Sequence, residues 1–190
     1  MMIYDFIKKN RSCRRYYQDL AINEEQLKHL VELARLSASA ANLQPLKFIL
    51  SWTPGKNSLI FPCLAWANYL KDWKGPEEGE RPSGYITILG DKDITENFSC
   101  NHGIAAQSIL LGAVESGFGG CIIASIQRDR LRSELKIPEK YEILLVIALG
   151  VSKELIVIEE VKDGNIKYWR DEKDIHHVPK RPLSEIILDL

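Results

Sequence analysis

The sequence predicts a single α+β domain, and three observations carry that expectation. Ile143-Leu144-Leu145-Val146-Ile147-Ala148-Leu149 is a continuous apolar run, the pattern of a core strand covered on both faces. Leu27, Leu30, Val31 and Ala34 recur at the i, i+3, i+4, i+7 spacing of a helix with one buried face. No repeat, low-complexity tract or linker interrupts the 190 residues, a length that suits one domain, 1–190.

The elements follow in order. Ile3 to Lys9 reads as a short amphipathic helix, ended by Asn10 and Ser12. Asn23 ahead of Glu24, Glu25 and Gln26 is a capping-box start, with acids at the positive end of the helix. Small residues Ser37 to Asn42 close that helix, and Pro45 prevents its extension. Lys47 to Leu50 is a first strand, stopped by Pro54-Gly55, and a helix is expected around Asn57 to Lys71. Asp72 to Pro82 is polar and rich in breakers, hence an exposed loop. Tyr85 to Leu89 is a strand. His102 to Ser116 is a helix apolar nearly all round, which predicts a central, buried position. Cys121 to Ala124 is a short strand, Arg128 to Leu135 a helix, and Leu155–Val161 with Ile166–Tyr168 a hairpin about Asp163-Gly164. The remaining tail mixes charge, Pro179, Pro182 and a last apolar stretch, Ile186-Ile187-Leu188.

Composition narrows the function. The chain is 45% hydrophobic and 27% charged, enough to bury a core. Twenty-five basic against 26 acidic residues argues against a nucleic-acid partner. No apolar run approaches the roughly 20 residues of a membrane span, and the N-terminus lacks signal-peptide features. A cytoplasmic protein is expected. Cys13, Cys63, Cys100 and Cys121 form no C-x-x-C pair, so no metal site is expected. Cys100-Asn101-His102 places a thiol beside a base, but no third group stands out to orient a hydrolase.

Three segments stand out chemically. Arg11-Ser12-Cys13-Arg14 lies in a basic run from Lys8 to Arg15 without an acid, and Lys180-Arg181 forms a second basic knot. Arg, Lys and Ser are the donors that hold a phosphate. A solvated basic patch explains the first run equally well. Ser37 to Pro45 combines small side chains, which leave room for a planar ligand, with the amides of Asn42 and Gln44. A helix end followed by a turn also accounts for it. Gly117-Phe118-Gly119-Gly120 is no dinucleotide fingerprint, because it leads from helix into strand, but its glycines suit close backbone approach.

Taken together and in this order, Asn10 to Tyr16, Ser37 to Pro45, the buried helix, Gly117 to Cys121 and Val178-Pro179-Lys180-Arg181 resemble the FMN-dependent nitroreductase family. The resemblance covers nearly the whole chain. It implies an α/β sandwich with a central, mostly antiparallel sheet flanked by helices. It also implies a homodimer with FMN at the interface and a C-terminal extension, about 170–190, exchanged between subunits. Arg11, Ser12 and Arg14 match the segment that holds the FMN phosphate and ribityl chain, and Lys180 and Arg181 the basic pair that reaches the same phosphate. Ser39, Ala40, Asn42 and Gln44 match the segment on the isoalloxazine ring, contributed in part by the other subunit. Gly119 and Gly120 match glycines whose backbone lies against that ring. The implied activity is electron transfer from NADH or NADPH to a nitroaromatic, quinone or similar acceptor in a ping-pong cycle, with no catalytic side chain required. The alternative is a flavin-storage protein. Ala38, Asn10 and Leu46 depart from the family's usual Pro, basic residue and Trp. The 71–82 loop lies where the family varies most around its acceptors.

Overall fold

A computed structural model describes residues 2–189. Its centre is a four-stranded antiparallel sheet of β1 (Leu46–Ser51), β2 (Gly84–Asp91), β3 (Gly119–Ile123) and β4 (Tyr141–Gly150), in the order β1-β2-β4-β3. The strand expected from the apolar run is the inner one, β4. Its Leu145, Ile147 and Leu149 face one core and its Ile143, Val146 and Ala148 the other.

The first core lies under α2 (Glu24–Arg35) and α4 (Asn101–Glu115), and the second under α3 (Pro54–Ile60) and α5 (Arg128–Leu135). α2 starts as its sequence requires: Asn23 Oδ1 accepts from the Gln26 N–H while Gln26 Oε1 accepts from the Asn23 N–H, each at 2.9 Å. Gly112 lets α2 approach α4, because a Cβ there would lie 2.1 Å from Leu33 Cδ1. α4 is central but covered on one side only. Ile104, Leu111 and Val114 stay half-buried, and α1 (Ile3–Lys9) buries no residue at all.

Two expectations are corrected. The helix set at Asn57–Lys71 begins at Pro54 and ends at Ile60, and residues 61–63 form a single 3-10 turn. Pro54, with its fixed φ, suits a first helical turn, whereas Pro62 lacks the N–H that would continue it. The hairpin about Asp163-Gly164 shrinks to one Lys162–Asn165 bridge. Instead β5 (Ile156–Glu160) pairs in parallel with β7 (His176–Lys180), and β6 (Trp169–Arg170) pairs antiparallel on β7's other side. Tyr168 leaves the ladder to pack on Tyr69, 4.9 Å between ring centres, and on His176 at 5.3 Å. A short last helix, α6 (Leu183–Ile186), follows, with Leu183, Ile186, Ile187 and Leu188 all strongly exposed.

Candidate cofactor site

The Arg11–Tyr16 segment is held along the outer edge of β3. Ser12 bridges Gly120, and the Cys13 N–H donates to the Gly120 carbonyl at 2.9 Å. Tyr16, wholly buried, donates its hydroxyl to the Cys13 carbonyl at 2.5 Å. The glycines make this approach possible. A Cβ on Gly119 would lie 3.1 Å from Cys13 Cβ, and one on Gly120 would lie 2.4 Å from Leu110 Cδ2 and 3.0 Å from the Ala148 carbonyl. Close packing therefore favours glycine at Gly120, independently of any ligand, and leaves little room for a Cβ at Gly119.

A cleft of about 300 Å³ opens beside this segment, at the small end of ordinary ligand sites. Arg11, Ser12 and Arg14 line it together with Lys180 from β7, so the basic groups from the two ends of the chain converge. Asn10, Gln107, Tyr168 and His176 complete the polar lining, and no carboxylate is among them. The Arg14 guanidinium lies 4.9 Å from the Tyr168 ring and donates to the Ser12 carbonyl at 3.2 Å. Arg11 donates one Nη to the Ile7 carbonyl at 2.8 Å, and its buried Nε has no partner. Burial draws the Arg11 pKa below its ordinary value.

The neighbouring basic residues have other partners. Arg15 makes two bonds to Glu80, at 2.6 and 2.8 Å, and a second ion pair with Asp174 at 3.2 Å. Hydrogen bonding to Arg15 brings Glu80 down to about 2. Arg181 pairs with Glu185 and stands outside the lining of the cleft. Sequence reasoning did not find Glu154, whose side chain is buried. Its carboxylate accepts from the Arg14 N–H at 2.5 Å and from Arg170 at 2.5 Å. No local pattern marks it, because its partners come from opposite ends of the chain.

The Ser39–Gln44 segment lies elsewhere on α4. Ser39 and Gln44 line a hollow of about 280 Å³ with Ala38, Pro45, Phe48 and Asn101, sharing no residue with the basic cleft. The Ala40 N–H donates to Asn101 Oδ1 at 3.0 Å, and the Gln44 N–H to Ser39 Oγ at 2.9 Å. Ala41, Asn42 and Gln44 hold φ of 49°, 54° and 50°, left-handed values uncommon outside glycine. Ala40 and Asn42 are exposed and line neither cavity.

The tryptophans separate as well. Trp66 lines a second hollow along β3 that shares Arg14 and Ile122 with the cleft, and its buried Nε1 has no partner. Trp73 lies 4.4 Å beneath the Arg170 guanidinium, and Trp169 stacks on His177 at 4.1 Å. Cys100 is exposed, and His102 Nδ1 is buried without a partner. Among the described residues no His, Cys, Asp or Glu group is arranged to hold a metal, and no helix is long and apolar enough to cross a membrane.

Comparison with known proteins places the fold. A solved structure described as an FMN-dependent nitroreductase from Clostridium difficile R20291 superposes with a TM-score of 0.67 at 27% identity, covering 80% of this chain and 88% of that one. A nitroreductase family protein from Streptococcus pneumoniae TIGR4 superposes over the full length of both chains with a TM-score of 0.71 at 17% identity. YodC of Bacillus subtilis strain 168, whose name assigns it provisionally to the NAD(P)H nitroreductases, is 25% identical over 176 residues, 77% of this chain and 87% of its own. The family model for the nitroreductase family matches residues 7–72 and 80–151, and the chain belongs to that family.

Proposed function

We propose that this protein is an FMN-dependent oxidoreductase that passes electrons from NADH or NADPH to a nitroaromatic, quinone or similar acceptor in a ping-pong cycle. One observation carries the reading: Arg11, Ser12, Arg14 and Lys180 line a single cleft that contains no carboxylate. Such a donor set fits one phosphate monoester, since guanidinium forks, a hydroxyl and an ammonium can all reach its oxygens. The partnerless Arg11 Nε adds a buried donor for a phosphate oxygen. FMN, when bound, supplies the two-electron chemistry. The chain's own residues bind and orient: the basic cleft takes the phosphate, while the β3 edge at Gly120 is taken by the Ser12–Cys13 backbone and holds that segment in place. Arg181, tied to Glu185, contributes its field and no direct bond. The names of the C. difficile and B. subtilis relatives support the cofactor and the donor.

The working unit in this proposal is a homodimer. Ser39, Ala40, Asn42 and Gln44 sit apart from the basic cleft within one protomer, so a second copy is needed to bring a ring-binding turn to each phosphate cleft. The half-buried face of α4, the unburied helix α1 and the exposed apolar tail supply surface for that contact.

Purified protein is expected to be yellow, to bleach with NADH or NADPH, and to regain colour on adding a quinone. Arg14→Ala or Arg11→Ala is expected to weaken FMN binding about ten- to a hundredfold, the worth of a hydrogen bond between charged groups. A colourless protein that takes up no added FMN would sink the reading. Bleaching without reoxidation by any acceptor would leave a storage protein.

A further inference from the structure

An arginine side chain only donates, so the acceptors that aim it decide how much of its charge remains for a ligand. Two partly buried arginines near the cleft are aimed by carboxylates: Arg15 by Glu80 and Arg170 by Glu154. Arg14 differs. Glu154 is close enough to accept from the Arg14 backbone N–H at 2.5 Å and from that of Arg15 at 3.3 Å, but its other oxygen is taken by Arg170. The Arg14 guanidinium instead meets the Ser12 carbonyl, the face of Tyr168 and His176 Nε2, the last at 3.4 Å.

We propose, building on the phosphate-cleft reading, that His176 is a positioning residue. As an uncharged acceptor it aims Arg14 into the cleft without cancelling the charge that a phosphate needs. Three observations support this role. His176 is 1% exposed and lines the same cleft as Arg14. Its Nε2 lies 3.4 Å from an Arg14 Nη, a group that can only donate, so the lone pair is assigned to Nε2, and its Nδ1 is buried without a partner. Burial draws its pKa down to about 4, with Arg14, Arg170 and His177 acting in the same direction and Glu154 opposing them. The ring is therefore neutral at physiological pH. Its neighbour His177 is held differently, between Glu159 at 2.5 Å and Asp171 at 3.4 Å, and takes no part in the cleft.

The test compares FMN with riboflavin, which lacks the phosphate, by quenching of flavin fluorescence in wild type, His176→Gln, His176→Leu and His176→Glu. Gln keeps a neutral acceptor and should bind FMN within about threefold of wild type. Leu removes the acceptor and should weaken FMN about tenfold, the order of one hydrogen bond to a charged group. Glu pairs with Arg14 and should weaken FMN about a hundredfold at neutral pH, with recovery as acidification protonates the introduced carboxylate. Riboflavin affinity should stay level throughout. Equal FMN binding by the Gln and Leu variants would overturn the proposal, as would parallel losses for both flavins, since a packing role moves both. Should the Glu variant fail to fold, the Gln–Leu pair decides alone. A wild type that binds riboflavin as tightly as FMN fails earlier, at the phosphate cleft itself.

Discussion

The Arg11–Tyr16 segment and the Ser39–Gln44 turn both pack near α4, yet they are built in opposite ways. The first is fixed by distant partners: Gly120 and Ala148 on the sheet, Glu80 in the loop before β2, and Glu154 after β4. The second is exposed and is held by its own Ser39–Gln44 bond, by one contact to Asn101, and in a backbone with three left-handed non-glycine residues. Tertiary contacts make a rigid anchor suited to a small charged group. The Ser39–Gln44 turn is instead strained and exposed, and most of its surface meets nothing within the protomer. The comparison teaches that the two segments line separate cavities within one protomer, the separation on which the proposed dimeric site rests.

The largest expected effect breaks or confirms that division directly. Arg14→Glu should abolish FMN binding by spoiling the anchor, and Ala38→Trp, at an exposed position on the hollow's wall, should abolish it by filling the ring side. Neither homodimer should hold flavin. After subunit exchange, each mixed dimer should regain one competent site, because one interface then joins two intact halves. Flavin absorbance after gel filtration reads the result. No recovery in verified mixed dimers would place the whole site within one protomer.

A middle-sized effect tests the anchor's rigidity. Glu80→Gln removes the bidentate partner of Arg15 and of Lys153. A loss of about 1–3 kcal/mol is expected, between the values of exposed and buried ion pairs. The pH dependence follows from the depressed carboxylate. Glu80 titrates near 2 in the folded chain and near 4.3 when unfolded, so its contribution is complete above about pH 4.5 and is lost as pH falls toward 2. Chemical denaturation from pH 6 to 2.5 should show a steeper acid loss in wild type than in the variant. Identical slopes would mean that the ion pair does not fix the segment.

Much of the fold was legible because it rests on local chemistry. The capping residues of α2, the even apolar run of β4 and the limits of α5 follow from side chains within a few positions. The failures are non-local. Nothing around Leu155–Val161 announces a parallel partner at His176–Lys180, and the Asp163-Gly164 turn points to a hairpin that Tyr168 abandons to reach the cleft. The site divides in the same way. Charge runs and the family resemblance indicated Arg11, Ser12, Arg14 and Lys180. That Arg14 is free of carboxylates while Arg15 is neutralised depends on Glu80, 65 positions away, and no spacing rule shows it. His176 carries no local signal, because its burial comes from strands that pair only in three dimensions.

The smallest expected effect concerns the strained turn. Ala41 is left-handed at φ 49°, where a Cβ costs roughly 1–2 kcal/mol. Glycine removes that cost but loses more freedom on folding, so Ala41→Gly should stabilise the protein by about 0.5–1 kcal/mol. For a chain of this size that is a rise of about 1–4 °C in Tm. If the strain stores a shape for the partner's flavin, the same change should loosen the turn and weaken FMN binding while stability rises. Stability and affinity would then move in opposite directions, which is hard to reproduce by simple damage. A variant that gains both would show the left-handed turn to be an accident of the loop, and the contrast between anchor and turn would be one of exposure alone.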